Sequence, residues 1–342
     1  MTEDSERPPT HEHLLTLLLD ATGDFVAGRV LEDRLKVSRP AIHQIVEKLR
    51  GLGFEIEARR HSGYRLLREP LVSSALLYDA YQPLVLGAPK VYYFEEIDST
   101  NSAAERLLSE GSPTPFVVVA GSQTAGRGRL GRRWHSPSGG DLYASFAFHP
   151  RRPPRDMPSI TLWFGLAIAQ FLKAELGLDV KVKWPNDLIL DERKLAGMLT
   201  EARVDADQIR DLVFGIGLNV LSDPEEWPPE VRAVATSLRR AGAEGLIEWR
   251  HRFLVRLFAA VCRAYNTFMS GTALEELVQH WPEFDALCGR TVEVHSPKEA
   301  RTGVVEGIDR EGQLCLRMPD GGLESFFAGE VTIGSGKVKK GD

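Results

Sequence analysis

Residues 118–145 read VVAGSQTAGRGRLGRRWHSPSGGDLYAS, and this stretch decides how the middle of the chain is organised. Within eight residues it holds three glycines and four arginines: Gly126, Gly128, Gly131, Arg127, Arg129, Arg132 and Arg133. Apolar, β-rich runs at 116–120 and 142–148 flank them, so we predict a mobile basic loop between two strands. Glycine lets the backbone approach a ligand closely, and guanidinium forks match carboxylate or phosphate oxygens.

The same three glycines spell G-x-G-x-x-G, a pattern that also occurs in dinucleotide sites. A dinucleotide fingerprint needs a helix that begins inside the motif and presents its N-terminus to the pyrophosphate. Here turn-forming residues 135–140 and then a strand follow, and no Gly-Lys-Ser/Thr closes a Walker A loop. We therefore disfavour a nicotinamide or flavin site. Composition alone also leaves open a solvated basic loop that binds no ligand.

The composition of the whole chain is that of an ordinary globular protein. Its 342 residues predict two or three domains, and 43% hydrophobic and 26% charged residues are typical of a soluble chain. The net charge of −6 excludes a general polyanion binder, so only a local patch could hold nucleic acid. Cys262, Cys288 and Cys315 form no C-x-x-C pair, which indicates a reducing compartment without a zinc site. An acidic, polar start and the lack of an apolar run of ~18 residues predict a cytoplasmic protein without membrane contact.

The first 69 residues have the element order of a winged helix-turn-helix. Periodicity predicts helices over 10–21, 28–35 and from Ser38 to Gly53, then short strands over 54–58 and 64–67. Ser38 is a good N-cap and Gly53 a good helix end. Three helices followed by a hairpin are typical of this DNA-binding fold.

An excess of positive charge marks this segment. Residues 29–68 carry ten Lys/Arg against five Asp/Glu, on a chain that is acidic overall. The third helix and the predicted wing tip hold the candidates for DNA contact: Ser38, Arg39, His43, Gln44, Lys48, Arg59 and Arg60. Gln and Arg can read base edges in the major groove, while wing cations hold phosphates. Winged helices also serve as plain interaction modules, and then the same charges would be a solvated face.

Glu69-Pro70 ends this unit, and we assign residues 70–90 to a linker. A strand predicted at 91–97 opens the second domain, and a helix follows up to residue 108. Four small polar residues lie between strand and helix: Asp98, Ser99, Thr100 and Asn101. Such residues cap helices, but at a strand-to-helix junction they also form a hydrogen-bonding corner for a small polar ligand.

Two further stretches add polar groups to this domain. After an apolar helix at 160–176, residues 180–190 read VKVKWPNDLIL, a strand pattern in which Pro185 should lie at an edge or a bulge. A tight turn at 191–193 precedes Lys194, whose ammonium and a nearby carboxylate could together hold an anionic nucleotide near the basic loop. The strand at 212–220 carries Gly215 and Gly217, which we expect to leave a bare face for a flat ligand.

The last part of the chain predicts a small β domain. Helices at 246–269 and 274–284 precede several short strands over 291–333. Turns are predicted at Gly303, Gly307, Gly312, Gly321 and Gly322. This spacing suits a β-barrel of SH3-like size.

Four motifs occur in a fixed order along the central domain. They are Ser99-Thr100-Asn101, the 123–134 stretch with GRGRLGRRW, Lys183-Trp184-Pro185-Asn186-Asp187 with Lys194-Leu195-Ala196-Gly197, and Gly215-Ile216-Gly217-Leu218-Asn219. With the flanking domains, the chain resembles the bacterial biotin–protein ligases that also repress the biotin operon, in their three-domain form. The resemblance covers nearly the whole chain. It implies an α+β fold with a winged helix-turn-helix at 1–69, a linker at 70–90, a mixed-sheet α/β biotin/lipoate-ligase-like catalytic domain at 91–285, an SH3-like β-barrel at 286–336 and a tail at 337–342.

The resemblance implies an ATP-dependent acid–lysine ligase. Biotin carboxylate attacks the α-phosphate of MgATP, biotinyl-5′-AMP forms and pyrophosphate leaves. A lysine of the biotin carboxyl carrier protein of acetyl-CoA carboxylase then takes the acyl group. By the family's pattern, biotin would be bound by Ser99, Thr100, Asn101, Gln123, Arg127, Gly128, Arg129, Lys194, Gly215 and Gly217. ATP or the adenylate would be bound by Arg129, Arg132, Trp134, Asn186, Asp187, Lys194 and Asn219, with Lys194, Arg127 and Arg129 catalytic and Asp187 near Mg²⁺.

The resemblance also implies a repressor that binds operator DNA as a homodimer when the adenylate is bound. Two alternatives stay open. A lipoate or octanoate ligase shares the catalytic architecture, although the winged helix and the terminal barrel disfavour it. The second alternative is a biotin-sensing repressor that does not catalyse a reaction, and the intact basic loop and Lys194 disfavour it.

Overall fold

Three structural units follow one another along the chain: a helical N-terminal unit, a central sheet with helices on both faces, and a small C-terminal sheet. The computed structural model describes residues 11–21, 23–51, 54–68, 90–138, 140–243, 250–295 and 299–333. The predicted linker at 70–90 lies outside these residues except for its last one, as do Gly53 and the tail at 337–342. None of the described helices is long and apolar enough to cross a bilayer.

The N-terminal unit is the winged helix-turn-helix that the sequence predicts. Its elements are α1 His11–Asp20, α2 Gly28–Leu35, α3 Arg39–Gly51, β1 Glu55–Arg59 and β2 Gly63–Arg68. The buried apolar side chains include Leu14, Leu31, Ile42, Val46 and Leu66. Gly63 has to lack a side chain, because a Cβ there would lie 1.9 Å from the carbonyl oxygen of Val26. That close approach lets Val26 bridge Tyr64, which ties the hairpin to the segment before α2.

The central unit is built on a seven-stranded sheet. Its strands are β3 Lys90–Ile97, β4 Phe116–Gln123, β5 Leu142–Phe148, β6 Lys181–Lys183, β7 Asp187–Leu190, β8 Arg193–Asp205 and β9 Gln208–Leu218. They lie in the order β3-β4-β5-β9-β8-β7-β6, in which β3 and β4 pair parallel and the other neighbours antiparallel. The mixed sheet is as predicted. Because the basic loop joins β4 to its neighbour β5, the sheet holds both ends of the loop side by side.

Helices cover both faces of this sheet. The helices of the central unit are α4 Thr100–Ser109, α5 Ile160–Leu176, the single turn α6 Pro229–Arg232, α7 Arg250–Ser270 and α8 Ala273–Phe284, of which α6 is not part of the buried core. The apolar side of α4 packs with Phe116 and Val118, whereas α5 and α7 share a core with Val117 and Val119. Successive side chains of a strand point to opposite faces, so a strand covered on both sides must be apolar throughout. This explains the unbroken apolar run that begins β4.

Aromatic rings join the sheet to the helices on one face. The ring centroid of Phe214 in β9 lies 4.3 Å from that of Phe164 in α5 and 6.1 Å from that of Phe146 in β5. Phe258 of α7 meets Phe146 edge-on at 5.5 Å. All four side chains are buried. Since each aromatic ring removes a large apolar area from water, this cluster anchors both helices on the sheet.

The outer edge of the sheet differs from the sequence prediction. Residues 180–190 form two strands, β6 and β7, where one strand was expected, and Pro185 lies in the turn between them. A turn suits proline because no ladder N–H is needed there. Asp191 and Glu192, in the next turn, both have positive φ, as in a two-residue hairpin loop. These consecutive hairpins place Asp187 and Lys194 on neighbouring strands.

The C-terminal unit is a five-stranded antiparallel sheet of the size predicted. Its strands are β10 Thr291–His295, β11 Ala300–Ile308, β12 Leu314–Arg317, β13 Leu323–Phe326 and β14 Glu330–Ile333, in the order β13-β12-β11-β10-β14. Gly312 and Gly321 lie in turns, with positive φ, as predicted. The turns predicted at Gly303 and Gly307 are wrong, because both glycines lie inside β11. Gly307 instead sits at a register shift against β12, where its positive φ forms a bulge.

Replacing Phe214 by alanine should lower the free energy of unfolding by about 3–5 kcal/mol, because the change leaves a cavity beside the two buried rings that it contacts, Phe146 and Phe164. Urea unfolding followed by circular dichroism measures this. Val204→Ala, at an exposed position on the adjacent strand, is the control and should change stability by less than about 0.5 kcal/mol. A loss below about 1 kcal/mol for Phe214→Ala would contradict the role of the cluster.

Candidate functional site

One cavity of about 340 Å³ lies where the basic loop, the start of α4, strands β6 to β9 and the C-terminal sheet meet. It is lined by all fifteen residues predicted to bind biotin or adenylate: Ser99, Thr100, Asn101, Gln123, Arg127, Gly128, Arg129, Arg132, Trp134, Asn186, Asp187, Lys194, Gly215, Gly217 and Asn219. Six Lys/Arg and four Asp/Glu line it. The cavity is therefore cationic within a chain of net charge −6.

The start of α4 forms a polar corner of the cavity. Ser99 is the N-cap residue, but its side chain makes no capping hydrogen bond. Gln123, at the end of β4, caps the helix instead. Its Oε1 accepts hydrogen bonds from the Thr100 N–H at 2.8 Å and from Thr100 Oγ1 at 3.1 Å. Gln123 Nε2 in turn donates to Ser136 Oγ at 2.9 Å. The corner is thus locked by residues from three separate segments.

Asn101 is held on every side. Ser145 Oγ donates to Asn101 Oδ1 at 2.5 Å, and Asn101 Nδ2 donates to Glu201 Oε2 at 2.7 Å. Beneath it lies Gly215, where an added Cβ would sit 2.1 Å from Asn101 Oδ1. We expected Gly215 to leave a face for a flat ligand, and the structure instead fills that space with the Asn101 amide.

The basic loop, residues 126–134, is a small hairpin. Arg127 and Arg133 form an isolated antiparallel bridge, the Gly128 N–H donates to the Arg132 carbonyl at 2.7 Å, and the Trp134 N–H donates to Gly126 at 2.9 Å. A single 3₁₀ turn at Arg129–Gly131 forms its tip. The hairpin orients successive side chains, so the arginines leave the loop in different directions.

The arginines of the basic loop contact the walls of the cavity. Arg127 donates to Glu201 Oε2 at 2.8 Å, and Arg132 forms an ion pair with Glu330 of β14. Arg129 donates to Asn186 Oδ1 at 3.3 Å and to the Gly329 carbonyl at 3.4 Å. Burial lowers the pKa of Arg129, against the opposing effect of nearby Asp187 and Glu330.

Lys194 is fixed through both its side chain and its backbone. Its Nζ lies 2.7 Å from Asp187 Oδ1 and 5.2 Å from the centroid of the Trp134 ring. The pair with Asp187 is ionic only, because Asp187 Oδ1 has no hydrogen-bond partner among the described residues. The Lys194 N–H donates to Val234 at 2.8 Å, and its carbonyl accepts from Thr236 at 2.9 Å. The ammonium is therefore carried on a hydrogen-bonded backbone, next to the Asp187 carboxylate.

Trp134 closes the other end of the cavity. Its indole lies over Gly197 and Gly217, since an added Cβ at these positions would sit 2.7 Å and 2.3 Å from ring atoms. The bare face expected at Gly217 is thus covered by a flat side chain of the protein itself. Trp134 Nε1 is buried and has no hydrogen-bond partner in the described part of the chain. An orphaned donor beside a cavity is expected to meet an acceptor on a ligand or water.

Sequence reasoning missed four groups of this site. Ser145 and Glu201 hold Asn101, Lys183 lines the cavity, and Glu330 reaches it from the C-terminal unit. Burial lowers the pKa of Lys183, against the opposing effect of Asp187. Lys183 belongs to the KWPND motif and could have been noticed there. Glu330 lies in a separate unit, and no local pattern in the sequence points to it.

The residues predicted to contact DNA lie directly before α3, on α3 and on the wing, and all are exposed: Ser38, Arg39, His43, Gln44, Lys48, Arg59 and Arg60. Two of them have acidic neighbours, as Arg39 lies 3.8 Å from Glu32 and Arg59 lies 3.0 Å from Glu57. The Arg59 guanidinium also lies 4.6 Å from the ring centroid of Phe25. The wing tip therefore presents Arg60 more freely than Arg59.

The donor set does not form a resident metal site. Among the described residues, no three of His, Cys, Asp or Glu come together as metal ligands. Asp187 is one of the four carboxylates that line the cavity, and Mg²⁺ is often bound by one or two carboxylates together with substrate phosphates. Asp187 therefore fits a magnesium ion that arrives with a nucleotide.

Comparisons with known proteins agree with this layout. The profile of the Biotin/lipoate A/B protein ligase family matches residues 93–219, an HTH domain profile matches 10–65, and the Biotin protein ligase C terminal domain matches 287–334. The chain is 31% identical over 330 residues to the bifunctional ligase/repressor BirA of Bacillus spizizenii, covering 96% of this chain and 100% of that protein. It is 32% identical to the same protein of Escherichia coli over 324 residues, covering 94% of this chain and 97% of that one.

A solved structure supports the same grouping. The biotin protein ligase from Aquifex aeolicus in complex with biotin and ATP has a TM-score of 0.60 and 27% identity, and the match covers 71% of this chain and 97% of that one. Fold and cavity together define the class, a biotin/lipoate-type ligase unit joined to a helix-turn-helix unit. The chain belongs to the family of bifunctional biotin ligases and repressors.

Gly217→Ala should lower the free energy of unfolding by about 1–3 kcal/mol, because the new Cβ would displace the Trp134 indole. Urea unfolding and near-UV circular dichroism would report the loss of stability and the movement of the ring. Gly128→Ala is the matched control, since its Cβ would meet nothing closer than 3.4 Å. Unchanged stability and an unchanged spectrum for Gly217→Ala would disprove the contact.

Proposed function

We propose that this protein activates biotin with MgATP as biotinyl-5′-AMP and transfers the biotinyl group to a lysine of the biotin carboxyl carrier protein. One observation carries the proposal: Lys194, the basic loop and the polar corner at Thr100 line one cavity. A carboxylic acid and a nucleotide phosphate are both anions, and this cavity supplies cations for both. The biotin ligase from Aquifex aeolicus, with which the fold is shared, was solved with biotin and ATP.

The first half-reaction needs no protein nucleophile, because the biotin carboxylate itself attacks phosphorus. The task of the protein is to hold two anions together and to stabilise the charge that develops on the phosphate. In our proposal Lys194 and Arg129 donate to the carboxylate and α-phosphate oxygens. Each such charge-assisted hydrogen bond contributes about 1.5–3 kcal/mol, and positioning contributes about 7–11 kcal/mol.

The head group of biotin would lie in the polar corner. Its ureido group carries N–H donors and a carbonyl acceptor, which match the Ser99, Thr100, Asn101 and Gln123 side chains. Since the Gln123 side chain is already held by Ser136, and the Asn101 side chain by Ser145 and Glu201, these two lose little freedom when a ligand binds. Arg127 and Gly128 of the basic loop would close over the ligand.

The nucleotide would occupy the other end of the cavity. The unpaired Trp134 Nε1 offers a donor there, and the indole offers a flat apolar face for a base. Arg132, Asn186 and Asn219 also line the cavity, and in our proposal they contact the nucleotide. Mg²⁺ would enter with ATP and meet Asp187, neutralising phosphate charge.

The basic loop would also protect the product of this step. An acyl phosphate anhydride hydrolyses in water, so excluding water preserves it until the carrier lysine arrives. The lysine amine then attacks the acyl carbon, and AMP leaves with the electron pair of the broken carbon–oxygen bond.

Mass spectrometry of a carrier domain tests the proposal directly. The full-length protein with MgATP and biotin should add one biotinyl group to the carrier lysine, and lipoate in place of biotin should add nothing. Transfer of lipoate alone would favour the lipoate or octanoate ligase. Pyrophosphate release at background level with biotin and ATP would favour a repressor without catalysis.

Lys194→Ala should slow adenylate formation at least about tenfold, because it removes a charge-assisted contact to the reacting anions. Pyrophosphate release in a single turnover measures this. Lys173→Ala, at an exposed ammonium paired with Glu283, is the control and should react like the parent. Equal rates for Lys194→Ala and the parent would remove Lys194 from the site.

The N-terminal unit would make the protein a biotin-responsive repressor of operator DNA. We propose that α3 enters the major groove while the wing cations hold phosphates. Adenylate binding would favour a homodimer, whose two winged helices match a two-fold operator. ATP, carrier protein and DNA share the cytoplasm of a bacterium, and we assign the protein to that compartment.

Arg59→Ala with Arg60→Ala should weaken operator binding and reduce the dependence of the binding constant on salt, because each lost phosphate contact removes about 0.9 from the slope. Arg60→Ala alone should account for most of the effect, since Arg59 is engaged by Glu57 and Phe25. Fluorescence anisotropy over a salt series measures both quantities. Arg317→Ala in the C-terminal sheet is the control, and a double variant with an unchanged slope would show that the wing does not touch phosphates.

A further inference from the structure

Lys183 is a cation of the cavity that has no part in the reaction proposed so far. It ends the edge strand β6, directly opposite Asp187 in the β6–β7 register. Side chains opposite each other on neighbouring strands share one face of the sheet. Lys183 therefore lies on the same side as Asp187, whose carboxylate holds Lys194 at 2.7 Å.

The remaining cations of the cavity are engaged. Arg127 bonds Glu201, Arg129 bonds Asn186 and Gly329, Arg132 pairs with Glu330, Arg133 donates to Thr124, and Lys194 pairs with Asp187. Lys183 differs, because within the described ranges its ammonium has neither a hydrogen bond nor an ion pair. Lys183 is half-buried, and the nearby carboxylates of Asp187 and Glu330 offset only part of the desolvation cost of its charge.

Such a cation is explained by an anion that enters the cavity. Lys194 is assigned to the carboxylate and the α-phosphate, but ATP carries two more phosphates with most of its charge. When the carboxylate oxygen bonds to the α-phosphorus, the bond from that phosphorus to the bridging oxygen breaks. Pyrophosphate then leaves with the electron pair, and its new charge needs a donor that the adenylate does not use.

On the basis of the proposed function, we infer that Lys183 binds the β- and γ-phosphates of ATP and stabilises the departing pyrophosphate. Lys183 and Lys194, which both lie beside Asp187, then bind different parts of ATP. Lys194 serves the atoms that remain in biotinyl-5′-AMP, and Lys183 serves the atoms that leave. The second half-reaction, which contains no pyrophosphate, does not require Lys183.

The two half-reactions can be measured separately in the full-length protein. Lys183→Gln should slow pyrophosphate release from biotin and MgATP by about 10- to 100-fold. Transfer from supplied biotinyl-5′-AMP to the carrier domain should stay within about twofold of the parent. Lys183→Arg, which keeps the charge, should recover part of the first rate, and thermal unfolding checks that both variants fold.

Lys181→Gln provides the matched control. Lys181 lies two residues earlier on the same strand, but its ammonium pairs with Asp179 and donates to the Glu283 carbonyl, and it does not line the cavity. This variant should perform both half-reactions like the parent.

Three results would overturn the inference. Lys183→Gln could release pyrophosphate as fast as the parent, it could slow transfer from supplied adenylate as much as adenylate formation, or Lys181→Gln could show the same defect. These outcomes are distinct from failure of the proposed function, in which the parent itself would form no adenylate and the inference would fall with it.

Discussion

The site depends on two glycines of β9, because side chains from other segments lie where their Cβ atoms would otherwise be. At Gly215 the Asn101 amide occupies the place of a Cβ, and at Gly217 the Trp134 indole does. Both contacts bring segments distant in sequence down onto the sheet. Without them the start of α4 and the end of the basic loop would stand away from β9, and their polar groups would not enclose one cavity. The absence of side chains at Gly215 and Gly217 thus determines the shape of the site.

Within that shape, electrostatics decides what the cavity accepts. The whole chain is acidic, yet the cavity has more cationic than anionic lining residues. Some of these cations form ion pairs with carboxylates of the cavity wall, as Lys194 does with Asp187 and Arg132 with Glu330. Such pairs hold cations in place until a more highly charged partner competes for them. An arrangement fixed in advance costs little reorganisation when substrate charge develops.

Much of this could be read from the sequence, because strong local patterns govern it. The helices and hairpin of the N-terminal unit, β5 and α5 follow from periodicity, and the four motifs predicted residues that line one cavity. Features that depend on distant contacts were not predictable. Gly303 and Gly307 resemble turn glycines but serve a strand and its bulge, and Gly215 and Gly217 accommodate protein groups where a ligand was expected. Glu201 and Glu330 act through partners that only the folded chain brings near.

The segment around β14 makes the cavity of the central unit depend on the C-terminal unit. Glu330 and Val331 form part of the cavity wall, and Gly329 and Glu330 contact two arginines of the basic loop. A fragment truncated after α8 would keep every motif of the central domain and still expose the cavity to bulk solvent. The boundary predicted from the sequence between the central and terminal domains is therefore not a boundary of the cavity, whose wall both units form.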